Sequence, residues 1–273
     1  MEAVRDCFAP MPLIEACEAL DSGRIPPRAV AITFDDGYAD NFHVALPVLR
    51  RLGLHATFFV ASDYLDGGRM WNDSVVEAVR HCPEPELDLT NQSLGRYSLK
   101  DGPERRAAIQ GILGALKYLD PAERSRCAEA IGARLGVSMP RDLMMTSAQV
   151  RDLASAGMTV GAHTCSHPIL ARISDADARR EIADSRERLE AIAGSPVQLF
   201  AYPNGKPGQD YLRVHVEMVS KLGFRAAVST AQGAFARGDD RWQIPRFTPW
   251  DRAPERFALR LAVGRHQRHY ASA

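Results

Sequence analysis

Short apolar runs alternate with helical segments along most of this chain, and three of the runs end in polar residues able to do chemistry. Ala29–Phe34 (AVAITF) and Ala56–Val60 (ATFFV) read as strands rich in β-branched and aromatic residues. A helix between them runs through Leu49 to Leu52, with Gly53 as its stop and Pro47 as a kink or boundary. Thr159–Ala162, Val197–Ala201, Ala226–Ser229 and Gln243–Phe247 are further predicted strands. The helices among them are one capped by Ser147 and ended by Gly157, one capped by Ser174 over Asp175–Ala193, one from about Asp210 to Leu222, and a last one over Pro254–Val263. This rhythm predicts an α/β fold with a parallel sheet. With 273 residues, 45% of them hydrophobic, the chain can bury a large core. It reads as a single domain over 1–273. From 64 to 146 the strand signal fades, while Arg105–Leu119 and Ala122–Leu135 show helical periodicity and Pro121 suits a first helical turn. That stretch is expected to be a helical insertion.

The polar strings at the strand ends are Thr33-Phe34-Asp35-Asp36-Gly37, His163-Thr164-Cys165-Ser166-His167 and Phe200-Ala201-Tyr202-Pro203-Asn204-Gly205. In a parallel barrel the C-terminal ends of the strands share one face, so residues far apart in sequence can meet there. Two His and one Asp make a metal site with open positions, and a second Asp beside it is a ready general base. If Asp36 is a ligand, Asp35 can stay unligated and accept a proton. Asp-Asp-Gly is also common turn chemistry, and a lone H-x-x-x-H arises by chance. Pro168 disfavours a helix at His167, so a loop or a single turn is expected. Cys165 lies out of phase with both histidines and is expected to pack inward. Tyr202 and Asn204 are candidates for oxyanion or substrate binding, because a strand-to-turn segment can expose backbone N–H groups. An ordinary β–α loop would look the same.

Several function classes are excluded or disfavoured. Lys plus Arg equals Asp plus Glu, which gives no basic stripe for nucleic acid. Five scattered cysteines without a C-x-x-C do not read as a disulfide framework. No apolar run is long enough to span a bilayer, and the first residues have neither a basic nor a long apolar region of the signal-peptide kind. A cytoplasmic location is the expectation.

Taken jointly, the strings resemble the polysaccharide deacetylase family of chitin, chito-oligosaccharide and peptidoglycan N-deacetylases. TFDDG matches its first motif and HTCSH its H-[ST]-x-x-H second motif, over about 26–60 and 144–251. The resemblance implies a distorted (β/α) barrel with fewer than eight regular units. It also implies Asp36, His163 and His167 as ligands of a divalent metal, usually zinc, with Asp35 as catalytic base. Two features depart from the family pattern. Where many members have Arg-x-Pro-aromatic, this chain has Ala201, Tyr202, Pro203 and Asn204, so the Arg that would hold the base is missing. FAYPNG instead resembles a bacterial exopolysaccharide-associated branch. A late Leu-His-Asp is also absent, which leaves the general acid unassigned; His266 and His269 lie in a basic tail. Arg246 ends the last predicted strand and could reach Asp35 in place of the lost Arg, or form a surface ion pair. Trp71, Trp242 and Trp250 could stack on a sugar, though packing roles fit them better.

The sequence therefore reads as a metal-dependent N-deacetylase whose partner is an N-acetylated carbohydrate. Hydrolysis of another C–N bond, in a ureide or cyclic imide, is an alternative. A non-catalytic carbohydrate-binding barrel is a second.

Overall fold

Ala56–Val60 is buried at every position, and a strand buried throughout needs cover on both faces of its sheet. The computed structural model, which describes residues 1–136, 138–248, 251, 253–264 and 272–273, shows where that cover comes from. The chain divides into two compact units, 1–66 with 144–273, and 67–143. In order, the elements are α1 (Glu2–Cys7), β1 (Ala9–Pro10), α2 (Leu13–Asp21), β2 (Ala29–Val30), β3 (Ile32–Phe34), α3 (Leu46–Leu52) and β4 (Ala56–Val60). The smaller unit follows with α4 (Trp71–His81), β5 (Glu86–Leu89), β6 (Gly95–Ser98), α5 (Gly102–Leu116) and α6 (Pro121–Arg134). The larger unit resumes with α7 (Ser147–Ser155), β7 (Thr159–Ala162), α8 (Asp175–Ala193), β8 (Leu199–Ala201), α9 (Arg213–Lys221), β9 (Ala226–Gln232), β10 (Ile244–Arg246) and α10 (Pro254–Gly264).

In the larger unit six parallel strands lie in the order β3-β4-β7-β8-β9-β10. They curl into a half-barrel, a distorted (β/α) barrel with fewer than eight units. Side chains alternate across a strand, so Phe58 and Phe59 enter different cores. Phe58, Val60, Val160 and Phe200 pack outward against Leu49 of α3, Val150 and Leu153 of α7, Ile182 of α8 and Val219 of α9. Phe59, Leu199, Ala201, Val228 and Ile244 pack inward with Leu13 and Cys17 of α2. Fully burying a Val, Leu, Ile or Phe side chain in this way contributes about 1.5–3 kcal/mol. Neither α2 nor the short parallel pair β1–β2 is evident from sequence, and α2 packs Leu13 and Cys17 against the inward face of the sheet.

Local chemistry sets the boundaries. Thr146, not Ser147, caps α7, in a reciprocal box with Gln149. Pro47 lies in the first turn of α3, after a π-helical turn at Asn41–Ala45, so it marks a boundary rather than a kink. Ser174 caps α8 as expected. α9 starts at Arg213, because Asp210 and Tyr211 belong to a buried loop.

Unit 67–143 is not purely helical. An antiparallel hairpin pairs β5 with β6, Leu87 opposite Tyr97. Its alternation spans only four residues per strand, too few to stand out in sequence. Leu87, Leu89 and Leu99 join Val75, Val79, Ile112, Leu116 and Ile131 in a core of its own. Pro121 opens α6 behind the cap Asp120. Trp71 packs on this core with the Arg124 guanidinium 4.9 Å from its ring centroid, a packing role. Among the described residues no helix is long and apolar enough to cross a membrane.

Candidate metal centre and active site

β3 ends at Phe34, and the next two residues would point to opposite faces if the strand continued. Asp36 instead has φ +73 and Gly37 φ +90, which turns the chain and aims both carboxylates into one site. The approach is tight, since a Cβ on Gly37 would lie 3.0 Å from Val60 Cγ1.

Asp36 Oδ1 lies 3.4 Å from the Nε2 atoms of both His163 and His167. One ligand atom from each residue lies within 4.8 Å of the others. These contacts are long for hydrogen bonds. They match donors placed about 2.0–2.1 Å from a tetrahedral ion, which sit roughly 3.3–3.4 Å apart. His163 is buried, and its Nδ1 bonds the Ala201 carbonyl at 2.7 Å, which assigns the ring proton to Nδ1 and leaves Nε2 as a lone-pair donor. The three side chains therefore fit a divalent cation. Burial alone would push the His163 pKa down, but the Asp36 and Asp35 carboxylates outweigh it and raise it. For Asp36, burial acts upward and the two imidazoles outweigh it, lowering its pKa. Residues 163–167 form a loop rather than a helix. Cys165 is part-buried, with its thiol pushed up to about 12 mainly by burial, a poor ligand at neutral pH.

Asp35 belongs to a different arrangement. Arg246 Nη1 and Nη2 donate to its two oxygens at 2.7 and 2.6 Å. Arg246 Nη1 also donates to Thr33 Oγ1 at 3.2 Å and its Nε to the Ser229 carbonyl at 2.8 Å. Because β3 and β10 are the two edges of the six-stranded sheet, this side chain bridges the barrel's open seam. Burial raises the Asp35 pKa, but the charge and hydrogen bonds of Arg246 outweigh it and hold the carboxyl below its usual range. Thr33 and the Ser229 carbonyl were not foreseen; a backbone carbonyl leaves no signal in sequence.

Tyr202 is corrected. Its ring is buried and stacked on Tyr211 with centroids 3.8 Å apart, its hydroxyl donates to the Trp242 carbonyl at 2.9 Å, and its N–H donates to Val228 O. It holds the loop from behind and offers a substrate neither ring nor N–H. Asn204 has φ +58, and its carbonyl accepts from Thr230 Oγ1 at 2.7 Å. Its own N–H has no hydrogen-bond partner among the described residues. Trp242 packs on the outer core and donates to the Phe224 carbonyl. His266, His269 and Trp250 lie outside the described residues.

Residues 22–105 and 124–227 match the family model for polysaccharide deacetylase. YxkH of Bacillus subtilis (strain 168), provisionally described as a polysaccharide deacetylase, is 20% identical over 219 residues, 80% of this chain and 50% of that protein. The chain thus spans about half the length of this curated relative. Among solved structures, the deacetylase PplD of Streptococcus pyogenes, in complex with acetate, has a TM-score of 0.60 at 18% identity, over 93% of this chain and 80% of that one. IcaB from Ammonifex degensii has a TM-score of 0.59 at 17% identity, over 96% and 85%. The deacetylase domain of BpsB from Bordetella bronchiseptica has a TM-score of 0.55 at 17% identity, over 90% and 81%. At such identities these structures speak for the fold.

Proposed function

The chain belongs to the polysaccharide deacetylase family, and on that premise we propose that it is a divalent-metal-dependent hydrolase that removes N-acetyl groups from an amino-sugar polysaccharide or a precursor of one. The observation that carries this reading is the convergence of Asp36, His163 and His167 beside a carboxylate held apart by its own arginine. Asp36, His163 and His167 would hold the ion, and two imidazoles with one carboxylate suit zinc. A bound ion of this kind supplies Lewis-acid chemistry, polarising a carbonyl and making water more acidic.

The remaining chemistry falls to the protein. Asp35 would take a proton from water as its oxygen attacks the acetyl carbon. Arg246 would orient that carboxylate and keep it charged. The Asn204 N–H would donate to the developing oxyanion; β8 ends next to His163, whose Nδ1 bonds Ala201, and Asn204 follows three residues on. When the C–N bond breaks, the leaving amine needs a proton and Asp35 then carries one, so acetate and free amine can form without a second acid. The FAYPNG loop, by its resemblance to exopolysaccharide-associated members, favours a sugar substrate.

Protein purified without chelator should contain about one zinc-sized ion per chain, as expected for a single three-ligand site. His163→Ala should lose it. Elemental analysis decides this, and full occupancy in the variant would remove His163 from the ligand set. Acetate release from a panel of N-acetylated oligosaccharides, run beside ureide and cyclic-imide turnover, tests the substrate class. Turnover of the latter alone would replace this reading.

A further inference from the structure

The loop between β7 and Pro168 keeps its shape against its own backbone preferences. Thr164 has φ +63 and His167 φ +52, and a β-branched residue there is an outlier. Such a conformation persists only when its surroundings impose it. Thr164 supplies one tie, its hydroxyl accepting from the His167 N–H at 3.1 Å. Tyr64 donates its hydroxyl to the Ser166 carbonyl at 2.8 Å, and the Asp63 N–H donates to the Cys165 carbonyl at 3.0 Å.

A further tie comes from Glu181, in the second turn of α8. One of its carboxylate oxygens accepts both the Cys165 and Ser166 N–H groups at 2.8 Å. The other accepts the Ser166 hydroxyl at 2.5 Å. Successive backbone N–H groups converging on one oxygen form an anion-holding concavity, and here the anion belongs to the protein. The neighbouring Ile182 is fully buried in the core, so the helix fixes where the carboxylate sits. Both imidazoles flank the two N–H groups that it clamps.

We infer that Glu181 is a positioning residue for the ion site: by clamping Cys165 and Ser166 it fixes the relative placement of His163 and His167, and so sets the affinity for the ion. This rests on the reading of Asp36, His163 and His167 as ligands. It assigns to Glu181 a reach rather than a charge. Gln has the same length; its amide oxygen can accept both N–H groups while its NH₂ donates to the Ser166 hydroxyl. Asp keeps the charge but is one methylene too short.

The test is the affinity for zinc alone, measured by competition with a chromogenic chelator, together with the thermal midpoint of the metal-free protein. Glu181→Gln should stay within about threefold of wild type. Glu181→Asp and Glu181→Ala should weaken zinc about tenfold or more, the scale typical of partners that orient ligands, with midpoints close to that of wild type. Wild-type affinity in Glu181→Ala would overturn the inference. So would retention by Asp with loss by Gln, which would mean that only charge matters. If the Ala variant does not fold, the Asp and Gln pair still decides. A wild-type protein that binds no zinc would sink the ligand set itself, a result distinct from these.

Discussion

Asp35→Asn is expected to keep its ion while turnover falls by about 10²–10⁴, the usual contribution of a general base. Asn nearly matches Asp in shape, so the site should keep its geometry, and Asp36 and both histidines are untouched. What would disappear, on the proposed mechanism, is the acceptor for water's proton. The Arg246 guanidinium, which now donates to both oxygens of Asp35, would face an amide that can accept at only one of them. Steady-state acetate release with parallel elemental analysis checks this. Near-wild-type turnover with the ion in place would take Asp35 out of the mechanism.

Arg246→Ala should lower turnover by about 10²-fold, as small misplacements of reacting groups do, and should move the acidic limb of the pH–rate profile upward. The sign follows from the site. Asp35 is buried, which by itself raises its pKa; the charge and hydrogen bonds of Arg246 more than offset this, so its pKa is lowered in the folded protein. Without the arginine, the largest effects that counter burial are lost, leaving the weaker pull of His163, and a higher pH is needed to obtain the carboxylate. The same linkage governs stability: the wild-type pair contributes above the unfolded carboxyl pKa, and its contribution is lost as pH falls through the depressed folded value. Arg246→Lys should rescue poorly, because an ammonium cannot replace a fork that simultaneously serves Asp35, Thr33 and the Ser229 carbonyl. A pH–rate profile of Arg246→Ala superimposable on that of wild type would show that Asp35 does not depend on it.

Four positions show where sequence reading works and where it stops. The meeting of His163 with Asp36 was legible because its signal is local: a polar residue closing an apolar run, and the strand period that carries such ends to one face. The place of Asn204 in a turn after a strand was legible in the same way; its role toward a substrate is part of the proposal. Tyr202 was misjudged because strand-end position does not say which way a ring turns. Its stacking on Tyr211 depends on a loop whose path the flanking residues do not specify. The helical insertion was half legible, since α5 and α6 have caps and periodicity, whereas the hairpin of β5 and β6 is too short for its period to register.

The sequence by itself therefore determined the strand–helix order, the polar groups at the strand ends and the chemistry that those groups permit. Such information lies within a few residues of each group, where propensity, period and turn chemistry act. Only the tertiary structure decided how the groups are held. Arg246 and Asp35 are 211 positions apart and come together because the sheet curls until its two edge strands, unpaired with each other among the described residues, come within reach of one side chain. Glu181 meets Cys165 and Ser166 because packing of Ile182 sets the rotation of α8. Both contacts depend on how buried surfaces fit together along the whole chain, a fit that no local stretch encodes.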